Sequence, residues 1–438
     1  MSEISIVTPK TLPGFMELLP EDQIKFNQMM DKIRQSYEMF GFLPLDTPII
    51  EDSKVLLAKA GGETEKQIYR FEKGDNDLSL RFDLTVPLAK YVSINQNDLA
   101  FPFRRYQIGK VYRGEKPQKG RYREFYQCDI DVIGDGELSL NFDAEMPSVI
   151  YYTFNNLGFS DFTIHINNRK ILNGFFEELN LNDKITDILR IIDKIEKIGE
   201  NAVKTELSKL NIEDEKIERI ISFIKIDGEN FEKIEKLNKL NIKNVIFNLG
   251  LSEITEVIKN TLIYGVPEKN IMLDLSIARG LDYYTGTVYE TFLNEYKSLG
   301  SICSGGRYEN LASSYTDRRF PGVGISIGLS RLFYQLNEYN LIKEKNKSIA
   351  KVLVVSMDEN LEKCIEVGAK LRENKIPTEI YSQNKKIKAK FKYADKLKIP
   401  YVIAIGEDEI KTNTVTLKNM ETGEQENLKI EEVIEKLK

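Results

Sequence analysis

The chain reads as an α+β protein: an antiparallel sheet flanked by helices, with a helical insertion and a C-terminal α/β domain. Three observations predict this. Two period-two segments, "FPFRRYQIGKVYRGE" and "YREFYQCDIDVIG", flank a basic stretch with Gly and Pro, the pattern of a hairpin with a long loop. From about Lys170 to Leu262 the composition turns to Ile, Lys, Glu, Asn and Leu at helical spacing, without a proline. Near the C-terminus, strand and helix patterns alternate, as in a small, mostly parallel sheet with some antiparallel character. The boundaries follow: a main domain over residues 1–168 and 263–338, an insertion over 169–262, a linker over 339–349 and a last domain over 350–438.

The elements follow in order. "PEDQIKFNQMMDKIRQSYEMFGF" is an amphipathic helix, with Pro20, Glu21 and Asp22 suited to its start and Gly41 to its end. "LPLDTPII" reads as a strand, and "DLSLRFDLTVPLAKYV" as a strand running into a helix. After the hairpin come a helix over about Ser139–Asn155 and a strand around Phe162–Ile166. Beyond the insertion, "IMLDLSIARG", "TGTVYETFL" and "GSICSGGRY" have strand patterns, and "GVGISIGLSRLFYQL" is a strand entering a helix. The last domain runs from the buried-type strand "KVLVVSM" to a closing hairpin and helix, with a lysine-rich helix between.

Composition excludes several kinds of chemistry. With 438 residues, 41% hydrophobic and 30% charged, the chain has length for a large core and the balance of a soluble globular protein. No apolar run is long enough to span a bilayer, and the N-terminus lacks a signal-peptide pattern, so a cytoplasmic location and no membrane partner are expected. Cys128, Cys303 and Cys364 form no CxxC pair, and His165 lies within the alternating "FTIHI" as a satisfied strand residue. There is therefore no Ser/His/Asp triad, no Cys/His pair and no zinc site built on histidine. Catalysis has to rest on arginines, carboxylates and hydroxyls. A net charge of -6 argues against indiscriminate nucleic-acid binding but leaves room for basic patches at the hairpin and on the lysine helix.

On the hairpin, Arg113 and Glu115 fall two apart on one strand, and Arg121 and Phe125 return opposite them. Two guanidinium forks, a carboxylate and a ring suit a nucleotide; scattered charges on a solvated hairpin suit the spacing too. "GVGISIGLSRL" ends at Arg331 and fits neither a Walker A loop nor a Rossmann turn; its glycines leave room over a sheet, or serve close packing. "LRFDLT" puts Asp83 and Thr85 on one strand face, able to hold an ammonium group. "FYQCDIDV" aligns Gln127, Asp129 and Asp131 with Phe125, as a polar pocket or an exposed strand face. "SIARGLDYYTGTVYE" sets Arg279 against Tyr283 and Tyr284, as a turn with packed tyrosines or as part of a site.

Together these segments resemble the class II aminoacyl-tRNA synthetases. "GFLPLDTP" is similar to their motif 1, "YRGE…RYREFYQCD" to motif 2 and "GISIGLSR" to motif 3. "ARGLDYYTGTVYE" and "SICSGGRYENL" resemble the two signature peptides of the histidyl-tRNA synthetase family. "LRFDLTVPLAKYV" and "KPQKGRYREFYQCDID" resemble its form common in eukaryotes and archaea. The similarity runs to about Leu336, and the domain plan covers the whole chain. One position departs: before the motif 3 arginine the family commonly has Glu, and here it is Ser330.

The resemblance implies a class II catalytic core, a C-terminal anticodon-binding domain and a two-step reaction. L-Histidine and ATP give histidyl-adenylate and pyrophosphate, and the histidyl group passes to the 3′-terminal adenosine of tRNA(His). It implies ATP as substrate with Mg2+, no protein-bound zinc, and a homodimer with Pro48 at its interface. Arg113 would hold the α-phosphate, Arg121 and Arg331 the outer phosphates, Phe125 would stack on adenine and Glu115 would sit near its amino edge. Arg279 would touch the histidine carboxylate and the α-phosphate, where many relatives rely on a metal ion. Asp131 and Tyr284 would hold the imidazole, Asp83, Thr85 and Gln127 the ammonium, while Tyr283 shapes the pocket and Gly305 and Gly306 let the backbone close over it. Gln118 and Arg123 would read the extra 5′ guanosine of the tRNA. The insertion would clamp the acceptor arm. The alternative is a synthetase-like regulatory subunit of ATP phosphoribosyltransferase; such paralogues usually lack the last domain and lose signature residues, which are present here.

Overall fold

The structure is a computed structural model and describes residues 7–58, 63–116, 120–277, 283–342, 347–358 and 361–438. It divides into two compact units, Met1–Met16 with Met29–Tyr339, and Glu17–Gln28 with Asn340–Lys438.

The first element in chain order is helix α1 (Pro20–Met39), closed by Gly41 at φ +74°; its residues from Met29 onward belong to the first unit. Strands β1 (Leu43–Pro44), β2 (Ile50–Asp52), β3 (Arg70–Lys73) and β4 (Asn76–Leu80) precede helix α2 (Thr85–Asn95). The hairpin strands β5 (Phe103–Tyr112) and β6 (Glu124–Ile133) lead to α3 (Asn141–Leu157), β7 (Phe162–Asn168) and α4 (Arg169–Glu178). Short helices between 182 and 239 are followed by α5 (Val245–Ile263), β8 (Ile271–Leu273), β9 (Tyr284–Leu293), β10 (Cys303–Tyr308), β11 (Gly322–Ile327) and α6 (Leu329–Glu338).

Eight of these strands form one sheet in the order β1-β5-β6-β11-β10-β9-β7-β8. The six inner strands are antiparallel, and parallel pairs close both edges. Period-two alternation sets the two faces. Along β6, Cys128, Ile130 and Val132 are fully buried, while Phe125, Gln127, Asp129 and Asp131 line a cavity. Helix α3 reaches the sheet through the Tyr289 hydroxyl, which donates to the Asp143 carbonyl at 2.7 Å, and through the buried Arg307–Asp143 pair at 2.6 Å. Helix α5 packs on α3 and α4, its Thr261 hydroxyl 3.2 Å from the Ala144 carbonyl. Strands β2, β4 and β3 make a separate small sheet.

The second unit carries β12 (Val352–Ser356), α7 (Leu361–Glu373), β13 (Thr378–Ile380), α8 (Ile387–Leu397), β14 (Tyr401–Ile405), β15 (Val415–Asn419), β16 (Gln425–Leu428) and α9 (Ile430–Leu437). Val352 and Val354 enter one hydrophobic cluster, and Leu353 and Val355 the other. That explains the unbroken apolar run of β12: both of its faces are covered. The sheet order is β13-β12-β14-β15-β16, parallel over the first three strands and antiparallel over the last three. Its antiparallel share comes from the closing hairpin, which joins the same sheet.

Other expectations need correction. "LPLDTPII" is not one strand: β1 and β2 are separated by residues 45–49, in which Thr47 is buried and Pro48 is exposed. "IMLDLSIARG" is a strand only over Ile271–Leu273. Arg113 and Glu115 lie beyond the end of β5, and Arg121 lies before β6, so the hairpin strands are shorter than the alternation suggests. Thr85 starts α2 and does not share a strand with Asp83.

Candidate active site

A cavity of about 570 Å³ opens on the β6–β11–β10–β9 face. Every described pocket residue named from the sequence lines it: Asp83, Thr85, Arg113, Glu115, Arg121, Phe125, Gln127, Asp131, Tyr283, Tyr284, Gly305 and Arg331. Arg279 and Gln118 lie outside the described residues. Arg123 and Pro48 do not line the cavity. Arg123 lies at the base of the hairpin, its Nε donating to the Glu115 carbonyl at 3.1 Å.

Three guanidiniums line the cavity. The Arg113 guanidinium lies 4.3 Å from the Phe82 ring centroid and 5.0 Å from that of Phe125, and its Nε donates to the Phe82 carbonyl at 3.2 Å. Aromatic rings on a planar cation hold its orientation while leaving donors for a ligand. Burial draws its proton affinity down, against the charges of Asp83 and Glu115. Arg331 sits in the first turn of α6, with Nη2 on the Leu299 carbonyl at 2.9 Å. Burial and the neighbouring Arg121 charge lower the Arg331 value, so two guanidiniums face one region. Arg121 lies 3.7 Å from Glu115.

Carboxylates and tyrosines line it as well. Asp83 precedes α2, and its Oδ1 accepts the N–H groups of Thr85 at 3.1 Å and Val86 at 2.9 Å. A carboxylate suits that helix start, yet burial still raises its pKa. Asp131 is directly opposite Arg105 across β5 and β6 and pairs with it at 2.6 Å; Tyr308 donates to its Oδ1 at 2.9 Å. Burial nevertheless pushes Asp131 up to about 6 and Asp129 up to about 7. Tyr283 and Tyr284 pack edge to face, their centroids 5.0 Å apart.

Two glycines lining the cavity, one on β11 and one on β10, have a specific use. A Cβ at Gly324 would sit 2.3 Å from Asp131 Oδ1, and one at Gly306 would sit 3.0 Å from the Tyr284 ring. Small residues there let two polar side chains enter the cavity from neighbouring strands. The space at Gly324 is thus occupied by Asp131.

Sequence reasoning missed Tyr308 and Arg105. Tyr308 closes "CSGGRY", and only strand pairing brings it to Asp131. Arg105 lies in the basic hairpin segment, within "FRRYQ", yet it is wholly buried. Its neighbour Arg104 turns to the other face and pairs with Glu145 at 2.9 Å. His165 is a satisfied strand residue as expected, with Nδ1 2.6 Å from Asp274.

Ser330 is fully buried, and its Oγ accepts the Tyr126 N–H at 2.9 Å, tying α6 to β6. In this chain the position clamps two motifs together. Ser330→Ala leaves that N–H unmatched and should cost about 1–3 kcal/mol of stability, read as a lower denaturant midpoint at unchanged slope. An unchanged midpoint would show that the bond contributes nothing.

Among the described residues, no group of three or more His, Cys, Asp or Glu side chains could hold a metal ion, and no helix is long and apolar enough to cross a membrane.

The family model for histidyl-tRNA synthetase matches residues 14–332, and that for an anticodon binding domain matches residues 350–438. The histidine--tRNA ligase of Clostridium tetani is 61% identical over 434 residues, covering 99% of each chain. That of Finegoldia magna is 51% identical over 433 residues, 99% of this chain and 100% of the relative. A crystal structure of histidyl-tRNA synthetase from Nostoc sp. PCC 7120 matches at a TM-score of 0.90 and 42% identity over 99% of each chain. A structure described as an ATP phosphoribosyltransferase regulatory subunit/histidyl-tRNA synthetase from Bacillus halodurans matches at a TM-score of 0.75 and 20% identity, over 92% of this chain and 99% of that one. This last likeness speaks to the fold alone.

Proposed function

The chain belongs to the histidyl-tRNA synthetase family, and from that premise we propose how its residues perform the reaction. That reaction is a histidine--tRNA ligase's: histidine is activated with ATP to histidyl-adenylate and pyrophosphate, then transferred to the 3′-terminal adenosine of tRNA(His). Ligase relatives aligned along the full chain favour this over the regulatory-subunit reading. The observation that carries the residue assignments is the one cavity lined by the guanidiniums of Arg113, Arg121 and Arg331 together with Asp83, Asp131, Tyr283 and Tyr284.

No protein nucleophile is needed. The histidine carboxylate oxygen attacks the α-phosphorus, and pyrophosphate leaves. The protein has to align the two and stabilise negative charge on the phosphorus oxygens. Arg113 holds the α-phosphate, with Arg279 beside it and on the substrate carboxylate. Arg121 and Arg331 hold the outer phosphates of ATP, which enters as its Mg2+ complex. Phe125 stacks on adenine, with Glu115 at its amino edge. Asp83, Thr85 and Gln127 receive the ammonium. Asp131 and Tyr284 pair with the imidazole nitrogens, and Tyr283 and Gly305 shape the wall. A pocket with buried partners for both nitrogens rejects side chains that cannot match them.

For the second substrate, Gln118 and Arg123 on the motif 2 loop read the 5′ end of tRNA(His), residues 169–262 clamp the acceptor arm and residues 350–438 read the anticodon. The protein works as a cytoplasmic homodimer with Pro48 at the interface. Exposed Leu43, Ile49 and Ile50 around that proline support an apolar contact there.

Histidine-dependent exchange of labelled pyrophosphate into ATP tests the reading. The protein should support exchange with histidine and with no other amino acid; exchange with another amino acid in place of histidine would overturn it.

A further inference from the structure

Gln127, on β6, donates from Nε2 to the Ser326 hydroxyl at 2.7 Å. Its other amide atom, Oε1, is buried and has no partner. Ser326, on β11, stands directly opposite Asp129 in the antiparallel register, which brings their side chains together on the cavity face. Burial pushes the Asp129 carboxyl up to about 7, the Arg105 charge and the Ser326 hydroxyl draw it back toward the ionised form, and Asp129 Oδ1 is a second buried acceptor without a partner. All three residues line the cavity.

A hydroxyl has one proton and two lone pairs. Beside a carboxylate acceptor, the Ser326 proton is directed to Asp129. The oxygen then presents lone pairs, which only the NH2 end of the Gln127 amide can engage. The opposite orientation of the amide would need the Ser326 proton for Oε1 and would turn two N–H donors toward the substrate. A primary ammonium carries donors only, so it needs acceptors.

We propose that Asp129 is a positioning residue for the substrate ammonium: acting through Ser326, it holds the Gln127 amide with Oε1 as the acceptor for the ligand. The inference rests on the proposed contact between Gln127 and the ammonium. Asp129 thereby couples strand β11 to the amino-acid end of the cavity, whereas Asp131 on the same face serves the imidazole.

The test is Asp129→Asn, which keeps the shape but removes the charge and replaces one of the two acceptor oxygens beside Ser326 with an NH2 donor. In the exchange assay the KM for histidine should rise about 10- to 100-fold, with the KM for ATP within about twofold. Calorimetric titration with two analogues separates positioning from general damage. Histidinol keeps the ammonium and imidazole, and imidazolepropionate lacks the ammonium. Asp129→Asn should weaken histidinol by at least about tenfold and leave imidazolepropionate within about twofold. Ser326→Ala should show the same selectivity, and it keeps the test open should Asp129→Asn fail to fold. Equal weakening of both analogues, or of neither, overturns the inference. Gln127→Ala distinguishes the two layers. If it weakens histidinol selectively while both other variants are silent, the Gln127 contact stands and the role of Asp129 falls. If Gln127→Ala is itself silent, both fall.

Discussion

Replacing Arg113 by alanine is expected to slow histidine-dependent pyrophosphate exchange by about 100- to 1000-fold, the loss typical of one preorganised donor at a developing negative charge. The guanidinium is held by ring contacts with Phe82 and Phe125 and by one bond to the Phe82 carbonyl. Those contacts use a single N–H, so on the proposed assignment the remaining donors would meet the phosphate without first reorganising. Its effect should fall on kcat more than on KM, because charge on the phosphorus oxygens grows in the transition state. Arg113→Lys should recover little, since an ammonium on a flexible stem neither stacks between two rings nor offers a fork. The fold should survive, because Asp83 keeps its two backbone N–H partners. A loss below about tenfold in a variant with an unchanged melting curve would remove Arg113 from the phosphate site.

Asp131→Ala is expected to be costly in a different way. Arg105 is completely buried, Asp131 is its ion-pair partner at 2.6 Å, and its Nε and Nη1 have no hydrogen-bond partner. Removing the carboxylate strands a guanidinium in the sheet, which typically costs about 3–5 kcal/mol. Urea unfolding should show that loss as a lower midpoint. Replacing both partners, Arg105→Leu with Asp131→Leu, should restore most of the stability, since a buried pair contributes little beyond an apolar replacement of similar volume. The double variant should still fail to activate histidine, because the acceptor for the imidazole is gone. Should it exchange pyrophosphate normally with histidine, Asp131 is a structural partner of Arg105 and not part of the specificity pocket.

These two cases show how far reading the chain alone goes. Arg113 was identifiable because the hairpin around it is a local pattern: alternation fixes the faces of β5 and β6, and the residues at the turn fall close by chain connectivity. The cavity-facing set of β6, Phe125 to Asp131, was legible for the same reason. The pair of Asp131 was not. "FRRYQ" offers two adjacent arginines with nothing local to say that Arg104 goes to Glu145 and Arg105 to Asp131. Similarly, "LRFDLT" looked like a strand because its apolar residues alternate. Asp83 instead accepts two backbone N–H groups at the start of α2, and this capping overrides the alternation.

What the chain's own order of residues determined is therefore the inventory and the faces: which strands alternate, where helices begin, and that arginines, carboxylates and tyrosines, not histidine or cysteine, have to carry the chemistry. Tertiary structure decided the partners. Register between β5 and β6 places Arg105 against Asp131, register between β6 and β11 places Ser326 against Asp129, and the fold sets Ser330 under Tyr126. The physical reason is that side-chain periodicity is a property of one strand, whereas a buried charge or hydroxyl is satisfied by a residue up to some two hundred positions away. No local pattern encodes that distance; only the order in which the strands assemble does.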